Sequence, residues 1–147
     1  MMDGVSMVPN ASIQKLLASF PNFGTKELVT LHGYLNIIQD PVLERFPNMY
    51  NGHPGLITRY PELKGRDPQK KVWDRIVAGD GYNYIGCVLH RVTHDVDDGP
   101  VIGVRYKETL NSDLSTFQSF LDELREMSLD LWVDFLEKEL IGSDTVS

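Results

Sequence analysis

The feature that most constrains this chain is the way its apolar residues are spaced between residues 27 and 107. Short runs in which every second residue is apolar alternate with runs in which apolar residues recur every three or four. Side chains repeat with period two along a strand and 3.6 along a helix, so the chain predicts strands separated by helices. Residues 27–35 read as a strand, with Val29, Leu31, Gly33 and Leu35 on one face and Thr30, His32 and Tyr34 on the other. Asp40-Pro41 starts a short helix that runs through Phe46, with Asp as cap and Pro in the first turn. Residues 48–53 form the next strand, and 54–65 a loop punctuated by Pro54, Gly55, Pro61 and Gly65. Asp67-Pro68 repeats the helix start, ahead of the stripe Val72, Trp73, Ile76 and Val77. Strands at 82–92 and 101–107 flank an acidic turn, 93–100.

Two further helices frame these segments. Asn10 can cap a helix over 11–20, with Ile13, Leu16, Leu17 and Phe20 at helical spacing. The last helix starts near Ser112 or Asp113 and runs to about Leu140. Its stripe is Phe117, Phe120, Leu121, Leu124, Leu131, Phe135 and Leu136, read as core, with an irregularity near Met127-Ser128. Strands interleaved with helices imply an α/β fold: one mixed, mostly parallel sheet flanked by helices. At 147 residues the chain is expected to be a single domain with a real core.

Composition narrows the function classes. Net charge is −7, and a broad nucleic-acid footprint needs a basic face, so no nucleic-acid partner is expected. No run of about 18 apolar residues suggests a membrane span. The one cysteine, Cys87, sits among apolar neighbours and reads as a buried, inert thiol. These features fit a cytoplasmic protein. His90 and His94 are four apart but straddle a strand and its loop, so no metal site is expected.

Chemistry concentrates at Asn51-Gly52-His53-Pro54. On a strand, residues 51 and 53 point to the same side, which pairs an amide donor with a titratable imidazole. Alone, the stretch also reads as a set of turn formers around a satisfied histidine. Ligands bind outside the carboxyl ends of strands in open α/β sheets. That rule is expected to bring Asn51, His53 and the acidic 93–100 loop to one rim. A histidine beside a carboxylate serves acid–base chemistry, and an amide with a protonated imidazole stabilises an oxyanion. No nucleophile elbow and no glycine-rich phosphate loop accompanies them.

These residues resemble the folate-dependent formyltransferases, in particular the glycinamide ribonucleotide formyltransferases. The family's catalytic strand reads Asn-x-His-Pro-Ser-Leu-Leu-Pro; here it is Asn51-Gly52-His53-Pro54-Gly55-Leu56-Ile57-Thr58. Its second motif, a strand ending in His followed by Asp-x-Gly-Pro-Ile/Val, matches Leu89-His90 and then Asp97-Asp98-Gly99-Pro100-Val101. Leu31 to Ile38 looks like the family's folate-binding turn, and the likeness covers roughly residues 10–140.

The resemblance implies a Rossmann-like formyltransferase fold and a catalytic trio of Asn51, His53 and Asp97. It implies 10-formyltetrahydrofolate as formyl donor and a small amine, of a nucleotide or a sugar, as acceptor. Leu35, Asn36, Ile38, Thr93, His94, Asp95 and Val96 match positions around the pterin; His90 matches a histidine behind the catalytic groups. The likeness leaves open hydrolysis of the same donor, a non-catalytic folate-binding remnant, or a subunit completed by another chain. Gly55 and Thr58 depart from the family's Ser and Pro, and the 60–65 stretch is longer than usual. The family's first three strands and phosphate loop have no match. The first strand is therefore expected to be an exposed sheet edge, covered in a homodimer or by a docked partner.

Overall fold

The computed structural model of the protein describes residues 28–32, 40–95 and 98–145. The expected helix at 11–20, the end of the first strand, Leu35, Asn36, Ile38, Val96 and Asp97 lie outside them. The described elements are β1 (Val29–His32), α1 (Asp40–Arg45), β2 (Met49–His53), α2 (Pro68–Val77), β3 (Tyr84–Arg91), β4 (Val101–Glu108) and α3 (Phe117–Thr145). Single 3-10 turns occur at Pro61–Leu63 and Thr109–Asn111.

The strands form one sheet in the order β1-β2-β3-β4. It is mixed, as expected, but its balance differs from the expected one. Among the described strands only β1 and β2 pair in parallel; β3 runs antiparallel to both β2 and β4. Apolar periodicity carries no strand direction, and α2 with its flanking loops returns the chain into β3 the opposite way round.

The strand β2 alternates buried and half-buried residues. Tyr50 packs against Phe135, the rings tilted and 4.7 Å apart between centroids. A Cβ at Gly52 would lie 2.8 Å from the indole nitrogen of Trp132. Both contacts are with α3, so Met49, Asn51 and His53 project to the other side of the strand. Gly103 on β4 plays the same part as Gly52, since a Cβ there would lie 2.6 Å from Leu131. Two glycines thus let α3 settle onto the sheet, where Leu131, Trp132 and Phe135 pack with Cys87 and Leu89.

A second cluster joins Leu56, Leu63, Val72, Val88, Phe120 and Leu124, so the loop after β2 and helix α2 share a core with α3. A third joins Leu31, Phe46 and Met49 beneath α1. The stripe expected along the last helix is core at Phe120, Leu124, Leu131 and Phe135, whereas Phe117 stays exposed against Trp73.

Helix α3 begins later than expected and runs without a break past Met127 and Ser128. Asp113 spends its carboxylate on a turn, accepting from the backbone N–H and the hydroxyl of Ser115. Thr116 then caps the helix, its Oγ1 accepting from the N–H of Ser119 at 3.0 Å. A seam of charge ties the helix to β4: Lys107 to Glu123 at 2.8 Å, and Arg105 to Asp130 at 2.7 Å and Asp134 at 3.2 Å.

Candidate active site

The buried polar side chains among the described residues are Asn51 (3% exposed), His53 (1%) and His90 (3%). They form one group, because Asn51 on β2 pairs directly across the sheet with His90 on β3, and His53 follows two residues on. Paired residues in neighbouring strands hold their Cβ atoms about 5 Å apart. His90 turns its Nδ1 toward the carbonyl of Arg91 at 3.2 Å.

The ring of His53 is oriented by the loop that follows β2. Its Nε2 lies 2.7 Å from the carbonyl oxygen of Leu63. A carbonyl only accepts, so Nε2 carries the proton. The carbonyl is aimed by the 3-10 turn at 61–63, where Leu63 is buried and its N–H donates to Tyr60. Gly55 completes the fit. A Cβ there would stand 2.9 Å from the Cβ of Pro68 and 3.4 Å from the ring of His53. A serine there, as in the motif this stretch resembles, would strike Pro68, so the departure at residue 55 has a steric cause: α2 begins against Gly55.

The structure and the strand-end rule differ over the acidic loop. Because β3 is antiparallel, its carboxyl end lies beside the start of β2: Arg91 pairs with Tyr50, and its guanidinium bonds the carbonyl of Pro47. The loop is not delivered to the rim of His53 by strand direction. It reaches that loop through an ion pair, Lys64 Nζ to Asp98 at 2.7 Å. The Lys64 ammonium holds the Asp98 carboxyl below its usual range, first by hydrogen bonding and then by charge. Lys64 follows Leu63, so the acidic loop is tied one residue from the carbonyl that orients His53.

Thr93, His94 and Asp95 lie at or near the surface. Thr93 Oγ1 bonds the backbone N–H and carbonyl of Asp95, and His94 lies 3.8 Å from the Asp95 carboxylate. Gly99 is required where the loop crosses back, since any side chain there would overlap the carbonyl of Arg91. The thiol of Cys87 is buried, and desolvation pushes its pKa up to about 11, the inert thiol expected of an apolar neighbourhood.

A cavity of about 350 Å³ opens beside His53, walled by Gly52, Asp67, Gln69, Ser128 and Trp132. An adjoining cavity of about 360 Å³ shares Gln69, Ser128 and Trp132 and extends along α3 to Arg125. Sequence reasoning did not single out Asp67, Gln69, Ser128 or Trp132. The available signal was the return Gly65-Arg66-Asp67-Pro68, which starts a helix soon after the Asn-x-His strand. His32 lies at the same mouth, its ring 4.8 Å from that of Trp132, and burial lowers its pKa.

The sequence profile of the formyl transferase family matches residues 9–131. The chain is 30% identical over 94 residues to the bovine trifunctional purine biosynthetic protein adenosine-3, covering 63% of this chain and 8% of that protein. It is 32% identical over 76 residues to a formyltetrahydrofolate deformylase of Synechocystis, covering 52% of this chain and 24% of the relative. The fold is similar to the crystal structure of phosphoribosylglycinamide formyltransferase from Streptococcus pneumoniae, with a TM-score of 0.66 at 24% identity, over 88% of this chain and 65% of that one. The chain thus spans well under half the length of these curated relatives.

Proposed function

The chain belongs to the formyl transferase family, and from that premise we propose that it moves a formyl group from 10-formyltetrahydrofolate to a primary amine, using Asn51, His53 and Asp97. The observation that carries this reading is the burial of Asn51 and His53 on one side of β2, with the imidazole oriented by Leu63 at the mouth of a cavity. The amine lone pair attacks the formyl carbon, and the carbonyl electron pair moves onto oxygen. The amide of Asn51 and the protonated ring of His53 donate to that oxygen as its charge grows. The bond to N10 then breaks, one amine proton ends on N10, and the products are a formamide and tetrahydrofolate. Asp97 serves the proton transfer; the Lys64–Asp98 pair, which ties its chain neighbour to the His53 loop, supports that role. Leu35, Asn36, Ile38 and residues 93–96 surround the pterin in this reading, and His90 supports Asn51 from across the sheet.

Hydrolysis of the same donor is the second reading. The likeness to a deformylase and the open cavity beside His53 favour it. Water then replaces the amine and formate replaces the formamide. Donor incubated with and without a panel of primary amines separates the two. Tetrahydrofolate released only with amine is the outcome expected for transfer; equal release without amine replaces transfer by hydrolysis.

The reading also includes a homodimer, or a docked partner, formed through β1 and a cytoplasmic setting. Support for the first is that β1 ends the sheet among the described residues. No described helix is long and apolar enough to cross a membrane.

A further inference from the structure

We infer that Asp67 holds the amino group of the acceptor, and that the acceptor is a small hydroxylated primary amine. The inference rests on the formyl-transfer reading and deepens it.

Asp67 precedes helix α2 and adopts the left-handed conformation, φ 53° and ψ 47°. An Asp before Pro at a helix start normally caps the helix with its carboxylate. Asp67 does not; its side chain makes no capping bond. The following proline disfavours the right-handed helical region, and Asp is among the few residues that tolerate the left-handed one. Asp67, an exposed residue, instead lines the cavity beside His53. The next residue, Pro68, is buried, and its Cβ stands 2.9 Å from where a Cβ on Gly55 would lie. Lys70 feels the charge of Asp67 but bonds Asp74 at 2.7 Å, so it does not neutralise the cavity wall.

The rest of the wall selects the body of the ligand. Gln69 supplies an amide and Ser128 a hydroxyl, suited to hydroxyl groups. Among the described residues no Lys or Arg lines this cavity, and Arg125 lines only its neighbour. An ammonium here finds its counter-charge at Asp67, in the cavity that His53 also lines. In the reaction the bound ammonium loses one proton to Asp67 and thence to solvent as its lone pair forms the new C–N bond. A second proton goes to N10, and the formamide keeps the third.

The test is binding to the intact chain by calorimetry, with glucosamine as probe and glucose as its neutral counterpart, at mildly acidic pH. Glucosamine is expected to bind about tenfold tighter than glucose, the worth of a charged hydrogen bond at a partly open site. Asp67→Asn keeps a residue that tolerates the backbone and should abolish that preference, as should Asp67→Gly. Equal or undetectable binding of the two sugars to the unaltered protein overturns the inference, and so does a preference that survives both substitutions. The measurement needs no turnover. A preference lost with Asp67, alongside no formyl transfer to any amine, keeps the amine site and removes the formyl-transfer reading.

Discussion

At Gly52 the absence of a side chain lets the indole of Trp132 close over β2, and at Gly55 it lets Pro68 pack close to the backbone. Neither glycine needs an unusual backbone angle; both are required by what sits above them. Gly52→Ala places a methyl 2.8 Å from Trp132 Nε1, so the indole must move. Overpacking of this kind costs about 1–3 kcal/mol, which urea unfolding will read as a lower midpoint with an unchanged slope. The pairing of Asn51 with His53 was legible in the sequence, because period two is a property of any strand. Asp67 was not: a left-handed Asp and a capping Asp are spelled alike before Pro. Gly65 at φ 89°, two residues earlier, belongs to the same left-handed turn, yet glycine in a loop does not announce its angle.

Among the elements, β2, α2, β3 and β4 follow their apolar spacing to within two residues. The start of α3 does not, because Asp113, Ser115 and Thr116 are all competent caps and the sequence cannot rank them. The direction of β3 was hidden for a different reason. Alternation is the same read from either end, so the strand-end rule was applied to a strand that runs the other way. The seam between β4 and α3 gives a pH prediction. Glu123, 14% exposed, is held below its ordinary value of 4.5 by the Lys107 ammonium and then by the N–H of Asp113. A carboxyl with a depressed folded pKa contributes stability above its ordinary value, and that contribution is lost as pH falls through the folded pKa. Thermal unfolding should therefore show Lys107→Met melting below the unaltered protein at about pH 6, with the gap closing toward about pH 3. A gap that stays constant across that range would mean the pair contributes nothing through Glu123.

For the whole molecule, the mixed sheet and the formyl transferase fold were expected from two motifs in register, Asn51-Gly52-His53-Pro54 and Asp97-Asp98-Gly99-Pro100. The contact between their loops was not legible, since it depends on Lys64 and Asp98 meeting across 34 positions of sequence. Strand β1 ends the described sheet with one side of its backbone unpaired by any described strand, and such edges invite pairing with another chain. Sedimentation over a range of concentrations should show a dimer; a monomer at every concentration removes that part of the account. The central claim, that Asn51 and His53 form a formyl-transfer site, is tested most directly by tetrahydrofolate release from 10-formyltetrahydrofolate, measured beside donor binding. His53→Ala should lower turnover at least about a hundredfold while donor affinity stays within about twofold, as expected for a group that acts on the developing charge. Turnover retained by His53→Ala, or absent from the unaltered chain that binds the donor, would contradict it.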